Sequence, residues 1–408
     1  MKQNWEIKKL GEVSDVGAGN SAPQKKELFD NGKFPFFRTS DVGQIRKGFI
    51  ERSVDYLNDK GIKGLKLFQK GTILFPKSGA STFLNHRVMM NVDGYVSSHL
   101  ATIKAKSKIA DDRYLLYYLI TIDAKDLMQD IAYPSLKTSD IGLIPIPLPP
   151  LPEQQRIVSI LDEAFAAIAK AKANAEQNLQ NSKELFESYL QGVFEQKGEG
   201  WKKTSLKNEI ELLSGFAFKS KFYSERNEDI LLVRGDNIMQ GYFRWEDAKR
   251  WNSDEFEEYK RFQLFENDVV LAMDRPWVKA GLKCAMISKN EIPSLLVQRT
   301  ASLRCKKDLD SSFLFYLVKS VAFTRHLLGV QTGIGVPHIS GKQILDFSFY
   351  KPELKEQQII VRQLDALRAE TQKLEAVYQK KIEDLEELKK SILQKAFAGE
   401  LTCKGVEV

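Results

Sequence analysis

One phrase occurs twice in this chain, and it limits what the chain can fold into. Pro147–Phe165 reads PLPPLPEQQRIVSILDEAF, and Tyr350–Arg368 reads YKPELKEQQIIVRQLDALR. Each copy is a proline-bearing stop followed by a helix start. Pro152 suits a first helical turn, where its missing N–H would have no intrahelical partner. Glu153 and Glu356 place negative charge where the helix dipole favours it. After the second copy, apolar residues recur at Ile360, Leu364, Leu367, Leu374, Tyr378, Ile382, Leu385, Leu388 and Ile392, with Thr371 filling one seam position. After the first they recur at Ile157, Leu161, Phe165, Ile168, Leu179, Phe186, Leu190 and Phe194, with a small and polar middle at Ala169–Asn178. Steps of three and four are a coiled-coil stripe. About 43 residues of helix span roughly 65 Å. A helix that long cannot bury its stripe alone, and the other copy is the obvious partner.

The repetition extends beyond the helices. Trp5 and Trp201, Leu10 and Leu206, and Gly19 and Gly215 are each 196 residues apart. At the same offset FPFFRTSDV (Phe34–Val42) falls on ILLVRGDNI (Ile230–Ile238), and GTILF (Gly71–Phe75) on NDVVL (Asn267–Leu271). HLATIKAK (His99–Lys106) matches RTASLRCK (Arg299–Lys306) at 200, and YLLYYL (Tyr114–Leu119) matches FLFYLV (Phe313–Val318) at 199. The helix motif matches at 203, pairing Gln154 with Gln357 and Gln155 with Gln358. Collinear matches with slowly drifting offsets mean one plan used twice with altered loop lengths.

Each half then reads as short strands (Phe34–Thr39, Thr72–Phe75, Arg87–Met90 and Leu100–Lys104 in the first), a helical stretch (Asp111–Asp130, matched by Leu309–Gly329), a loop and the long helix. The expected fold class is α/β (α+β) recognition domains in tandem pseudo-repeat, separated by two long helices that form an antiparallel coiled coil. Residues 1–150 and 198–352 are the expected domains. Residues 151–197 form one expected spacer helix, and 353–408 the other with a C-terminal tail. Antiparallel pairing would return the C-terminus to the first half and set two α/β units at opposite ends of the paired helices.

Composition narrows the function classes. The 408 residues carry 43% hydrophobic and 28% charged side chains and a net charge of +7, which permits a polyanionic partner without demanding one. No stretch is long and apolar enough for a membrane span. The start MKQNWEIKKLGEV has no apolar signal core, and three cysteines (Cys284, Cys305, Cys403) are no disulfide framework. A cytoplasmic location is expected.

No catalytic constellation is visible. The four histidines (His86, His99, His326, His338) do not stand at metal-ligand spacing, and His99 reads as a packed or surface group. No Walker phosphate loop occurs, and VGAGN (Val16–Asn20) reads as a turn. What remains is polar, basic and aromatic loop material at matched places. PKSGASTFLNHR (Pro76–Arg87) follows one strand and AMDRPWVKAGLK (Ala272–Lys283) follows its counterpart. AYPSLKTSDI (Ala132–Ile141) and VPHISGKQI (Val336–Ile344) precede the helix motifs. Lysine and arginine can meet phosphates, and arginine can read guanine edges. The candidate DNA-binding residues are Lys77, Ser78, Arg87, Tyr133, Ser135 and Lys137 in the first half. In the second they are Arg275, Trp277, Lys279, Gln331, Thr332 and His338. Arg38 and Arg234 also align, but each lies near a carboxylate (Asp41, Asp236) that could simply pair with it.

Taken together, the proline-to-helix motif, its echo ELKEQQIIVRQLD, the two long helices, WEIKKLGEV at Trp5–Val13 and the two-half layout resemble the specificity subunit of Type I restriction–modification enzymes along the whole chain. Lys355 departs from that pattern where the first copy has Pro152. The resemblance implies that each domain reads one half of a split, asymmetric double-stranded DNA target. It implies that the helices set the half-site spacing and dock two methyltransferase (modification) subunits. Those subunits would bind S-adenosylmethionine and methylate adenine, and restriction subunits using ATP and Mg would join them. The chain itself would have no catalytic residue, metal or cofactor. A free-standing DNA-binding protein and a coiled-coil scaffold remain the alternatives.

Overall fold

The computed structural model describes residues 5–128, 135–196, 198–278, 281–330 and 338–401. Two compact units form: Met1–Glu176 with Lys380–Val408, and Gln177–Gln379. Each unit therefore holds one α/β domain and part of both long helices.

In the first unit a five-stranded sheet runs in the order Ser14–Ala18, Leu100–Ala105, Ile73–Pro76, Arg87–Met90, Lys47–Ile50. All pairs are antiparallel except the last. Strand Ile73–Pro76 is buried along its whole length because both faces are covered. Side chains alternate across a strand. Ile73 and Phe75 thus join Leu115, Leu116 and the long helices, while Leu74 joins Phe37, Val42 and Val88 on the other face. The second unit repeats the plan with four strands, Ile210–Ser214, Thr300–Cys305, Val269–Ala272 and Cys284–Met286. There Val269 and Leu271 face the helices, and Val270 and Ala272 face Val233 and Ile238. Each unit also has a three-stranded sheet, built on Phe34–Phe37 and on Ile230–Val233. The glycines aligned by the repeat explain themselves. A Cβ on Gly19 would stand 2.3 Å from the carbonyl oxygens of Val96 and Ser97, and one on Gly215 would stand 2.1 Å from that of Val297.

The expected helix Asp111–Asp130 ends early, as Asp112–Thr121 followed by the 3-10 turn Ala124–Leu127. The cause is Asn85: its Oδ1 takes the Ala124 amide at 2.8 Å, and its Nδ2 donates to Asp123 at 2.9 Å. In the second unit the stretch divides into Ser311–Lys319 and Val321–Val330. Ser320 is extended there, and its Oγ accepts the Phe323 amide at 3.3 Å.

The long helices run Leu151–Glu195 and Leu354–Ala398, 45 residues each. In the first unit Ile157, Leu161 and Phe165 pack in one core with Ile392, Leu393 and Phe397. In the second, Phe186, Leu190 and Phe194 pack with Ile360, Leu364 and Leu367. The start of one helix thus lies against the end of the other in both units, so the helices are antiparallel. The thin middle of the first stripe is filled by buried Ala175 and Ser182. In the second helix, Leu374 and Leu388 are exposed (41% and 47%) and do not belong to the seam. Buried Thr371 sets the phase, and steps of four and three then lead through Glu375, Tyr378, Ile382 and Leu385 to Lys389.

Candidate nucleic-acid interface

Backbone pairing brings together the two candidate loops of each half. In the first unit the chain leaving Ile73–Pro76 is held on both sides. The Lys77 amide donates to His99 O at 3.1 Å, and the Leu136 amide donates to Lys77 O at 2.8 Å. Ser78 and Ser135 form an antiparallel bridge. The second unit makes the same three links at matched positions. Met273 N donates to Arg299 O at 2.8 Å, Ile339 N donates to Met273 O at 2.9 Å, and Asp274 bridges His338. Three segments far apart in sequence therefore converge on one edge of each domain.

The side chains carried there differ. In the first unit Ser78 Oγ and His99 Nδ1 share a hydrogen bond of 2.8 Å, and Ser135 and Lys137 are exposed. In the second, the Asp274 carboxylate accepts from Arg299 Nη1 at 2.5 Å and from His338 Nδ1. Arg299 stays largely exposed (63%) despite this pair, so its remaining N–H groups are available to a ligand. Arg275 is exposed, with φ at +45°. One edge thus offers hydroxyl and imidazole groups, the other guanidinium and imidazole around a carboxylate. Both sets can donate to phosphate oxygens and to base acceptors.

Lys77 and Ser78 are half-buried at the loop base. Arg87 corrects an expectation. It was expected to meet phosphate, but its side chain is fully buried. Its guanidinium carbon lies 3.3 Å from the Phe75 ring centre, and Nη1 donates to His86 O at 2.7 Å. Burial pushes its pKa down to about 9. As the first residue of a central strand it points inward, where a loop reading had placed it outward. Trp277 is half-buried against the second core, and its indole N–H is enclosed with no partner among the described residues. Tyr133, Lys279, Gln331 and Thr332 lie outside the described residues. Sequence reasoning did not single out His99, Asp274 and Arg299, which the fold brings to the same edge as the candidates. The signal was present, because His99 and Arg299 already align at the head of matched strands. The two aligned arginines left aside are both paired, Arg38 with Asp55 at 2.5 Å and Arg234 with Asp236 at 3.3 Å. Asp41 is buried and accepts the Arg38 and Val54 amides instead.

Among the described residues no group of three or more His, Cys, Asp or Glu side chains could hold a metal ion. Among the same residues, no helix is long and apolar enough to cross a membrane.

Comparison with known proteins agrees with this architecture. The family model described as Type I restriction modification DNA specificity domain matches residues 2–178 and 198–384. The chain is 25% identical over 418 residues to the Type I restriction enzyme MjaVIII specificity subunit of Methanocaldococcus jannaschii, covering 99% of this chain and 94% of that protein. It is 33% identical over 180 residues to the EcoAI specificity subunit of Escherichia coli, covering 44% of this chain and 30% of that one. Among solved structures, the HsdS subunit of Thermoanaerobacter tengcongensis superposes with a TM-score of 0.62 at 18% identity, over 98% of both chains. A chain from work on complex assembly and conformational transition of the type I R-M system superposes at 0.77, also 18% identical, over 98% of this chain and 99% of that one.

Proposed function

Because the chain belongs to the family of Type I restriction–modification specificity subunits, we propose that it reads a bipartite, asymmetric DNA target, with one α/β unit for each half-site. One observation carries this reading. The same three backbone links gather loops at the same edge of both domains, yet the side chains presented there differ. A shared frame with different donor sets suits two readers of different base sequences. Base contacts specify and phosphate contacts position. Arg299, Arg275 and His338 would serve in the second unit, and Ser78, His99, Ser135 and Lys137 in the first. Lys77 would position backbone at the loop base.

The chain performs no chemistry in this reading. The antiparallel helices dock two methyltransferase subunits, which bring S-adenosylmethionine and methylate adenine. Restriction subunits bring ATP and Mg, and the assembly works in the cytoplasm. Exposed apolar side chains on the second unit's helices, Leu185, Tyr189, Ile359, Leu374 and Val377, support a protein partner there.

The test is methylated-adenine profiling of a host carrying the chain with its methyltransferase. Replacing residues 201–340 by the matching segment of another family member is expected to change one half-site and leave the other. A change in both, or no methylation of a split site, overturns the reading.

A further inference from the structure

Beside the second domain, two cations converge on one turn without forming an ion pair among the described residues. Lys319 ends helix Ser311–Lys319, and Arg368 lies in the first half of helix Leu354–Ala398. Both point at the tight turn around Gly241. A Cβ built on Gly241 would stand 3.6 Å from Arg368 Nη2 and 3.7 Å from Lys319 Nζ. The turn is fixed, since Gly241 N donates to Cys284 O at 2.8 Å and Met239 N to Tyr242 O at 3.0 Å. Gly241 has φ +98°, a conformation that other residues rarely adopt, so no side chain occupies the point on which both cations converge. The floor is aromatic: Lys319 Nζ is 5.1 Å from the Phe315 ring centre, and the Arg368 guanidinium is 5.6 Å from that of Phe186.

Half-buried cations normally sit beside a carboxylate, because desolvating an unpaired charge is costly. Here neither cationic head has an ion pair or a hydrogen bond among the described residues. The Lys319 pKa is lowered, first by burial and then by Arg368, against the opposing effects of Cys284 and Glu187. The first domain solves the same packing problem without charge, placing Ile120 and Phe165 at the matched positions against its core. The cations are therefore not required by the fold.

We propose that Lys319 and Arg368 bridge one phosphate-type oxyanion over Gly241. The oxyanion is either a free phosphate or a backbone phosphate of bound DNA.

The full chain is melted without DNA in sodium chloride and in sodium phosphate at equal ionic strength. A saturable rise of several degrees with phosphate is expected in the wild type, and its loss in both Lys319→Met and Arg368→Met. Lys319→Arg should retain it. In chloride alone Lys319→Met should melt no lower than wild type, whereas a lysine that merely caps its helix would lower the melting temperature in every buffer. A second arm measures duplex affinity against salt. If the occupant is a DNA phosphate, Lys319→Met lowers the log–log salt slope by about one. An unchanged slope with a retained melting effect assigns a free anion. An equal phosphate response in wild type and variants, with no change of slope, overturns the site. The melting arm contains no DNA, so its failure is distinct from failure of the proposed DNA reading.

Discussion

Gln357 holds Asp310 by its backbone. Its Oε1 accepts the Asp310 amide at 2.8 Å, while its Nε2 donates to Asp308 O at 3.1 Å and Pro352 O at 2.9 Å. Gln154 does the same in the other unit, accepting from Asp111 N at 2.9 Å and donating to Ile109 O at 3.0 Å and Pro149 O at 2.9 Å. Both glutamines are fully buried. Asp111 and Asp310 in turn cap the helices Asp112–Thr121 and Ser311–Lys319 through their carboxylates. The repeated phrase is thus a clamp. Its glutamine ties the start of a long helix to the loop and helix behind it, so each α/β domain is fixed to the long helix that follows it.

Removing either glutamine side chain leaves two carbonyls and one amide unpaired in a buried place. Gln154→Ala and Gln357→Ala are each expected to cost about 2–4 kcal/mol. Urea unfolding of the full chain measures this. Gln155→Ala is the control: Gln155 is exposed, and its loss should stay within about 0.5 kcal/mol. Equal effects at the two neighbours would refute the clamp.

A second tie sits one helical stretch further on. Tyr117 OH donates to Asp162, and Tyr316 OH donates to Asp365 at 2.5 Å. Burial first, then the bond to Asp162, pushes the Tyr117 pKa up to about 12, above an unfolded value of about 10. The tie therefore contributes fully below pH 10 and is lost as pH rises from about 10 towards about 12. Tyr117→Phe should cost about 1 kcal/mol at neutral pH. It should also flatten the loss of stability between about pH 10 and about pH 12, followed by denaturant titration at each pH. An unchanged alkaline slope would assign that loss to other groups.

The repeat and the helix stripes made the architecture legible, because period and offset are properties of the chain itself. The reciprocal closure follows from them. Phe194, at the end of the first helix, packs on Phe313 at 5.2 Å, and Phe397, at the end of the second, packs on Tyr114 at 5.4 Å. Side-chain direction was less legible. Arg87 turns inward because its strand is covered on both faces, which one strand's composition does not reveal. Leu374 and Leu388 fall outside the seam because Thr371 sets the phase. The helix breaks near Ile122 and at Ser320 depend on hydrogen bonds from Asn85 and from the Ser320 hydroxyl, which carry no periodic signal. The Asp274 cluster exists only through long-range pairing.

Arg87 should behave as a core residue. Replacing a buried, incompletely bonded cation by an apolar group of similar volume is often neutral or stabilising, by about 1–4 kcal/mol at best. Arg87→Met is expected to keep or raise stability at pH 7 and to leave duplex affinity unchanged. A clear fall in affinity with intact folding would return Arg87 to the interface.

Arg299 should behave as a reader. Arg299→Ala is expected to cost about 1–3 kcal/mol in duplex affinity and to relax the half-site read by the second unit. Methylated-adenine profiling should show the other half-site unchanged. A uniform loss across all sequences, with a salt slope lowered by about one, would instead make Arg299 a phosphate contact.

The helices should act as the spacer rule. Four residues inserted at opposed points of Leu151–Glu195 and Leu354–Ala398 lengthen each by about 6 Å. Base pairs rise about 3.4 Å each along a strand, so the preferred gap between half-sites should grow by roughly one to two base pairs. Insertion into one helix alone shifts the seam phase, exposing groups such as Leu364 or Leu393 that are now buried, and should destabilise the chain without yielding a new spacing. Profiling of methylated sites in hosts carrying each variant reads the gap directly. An unchanged gap in the double-insertion variant, with methylation retained, would mean that something other than helix length fixes the separation of the two readers.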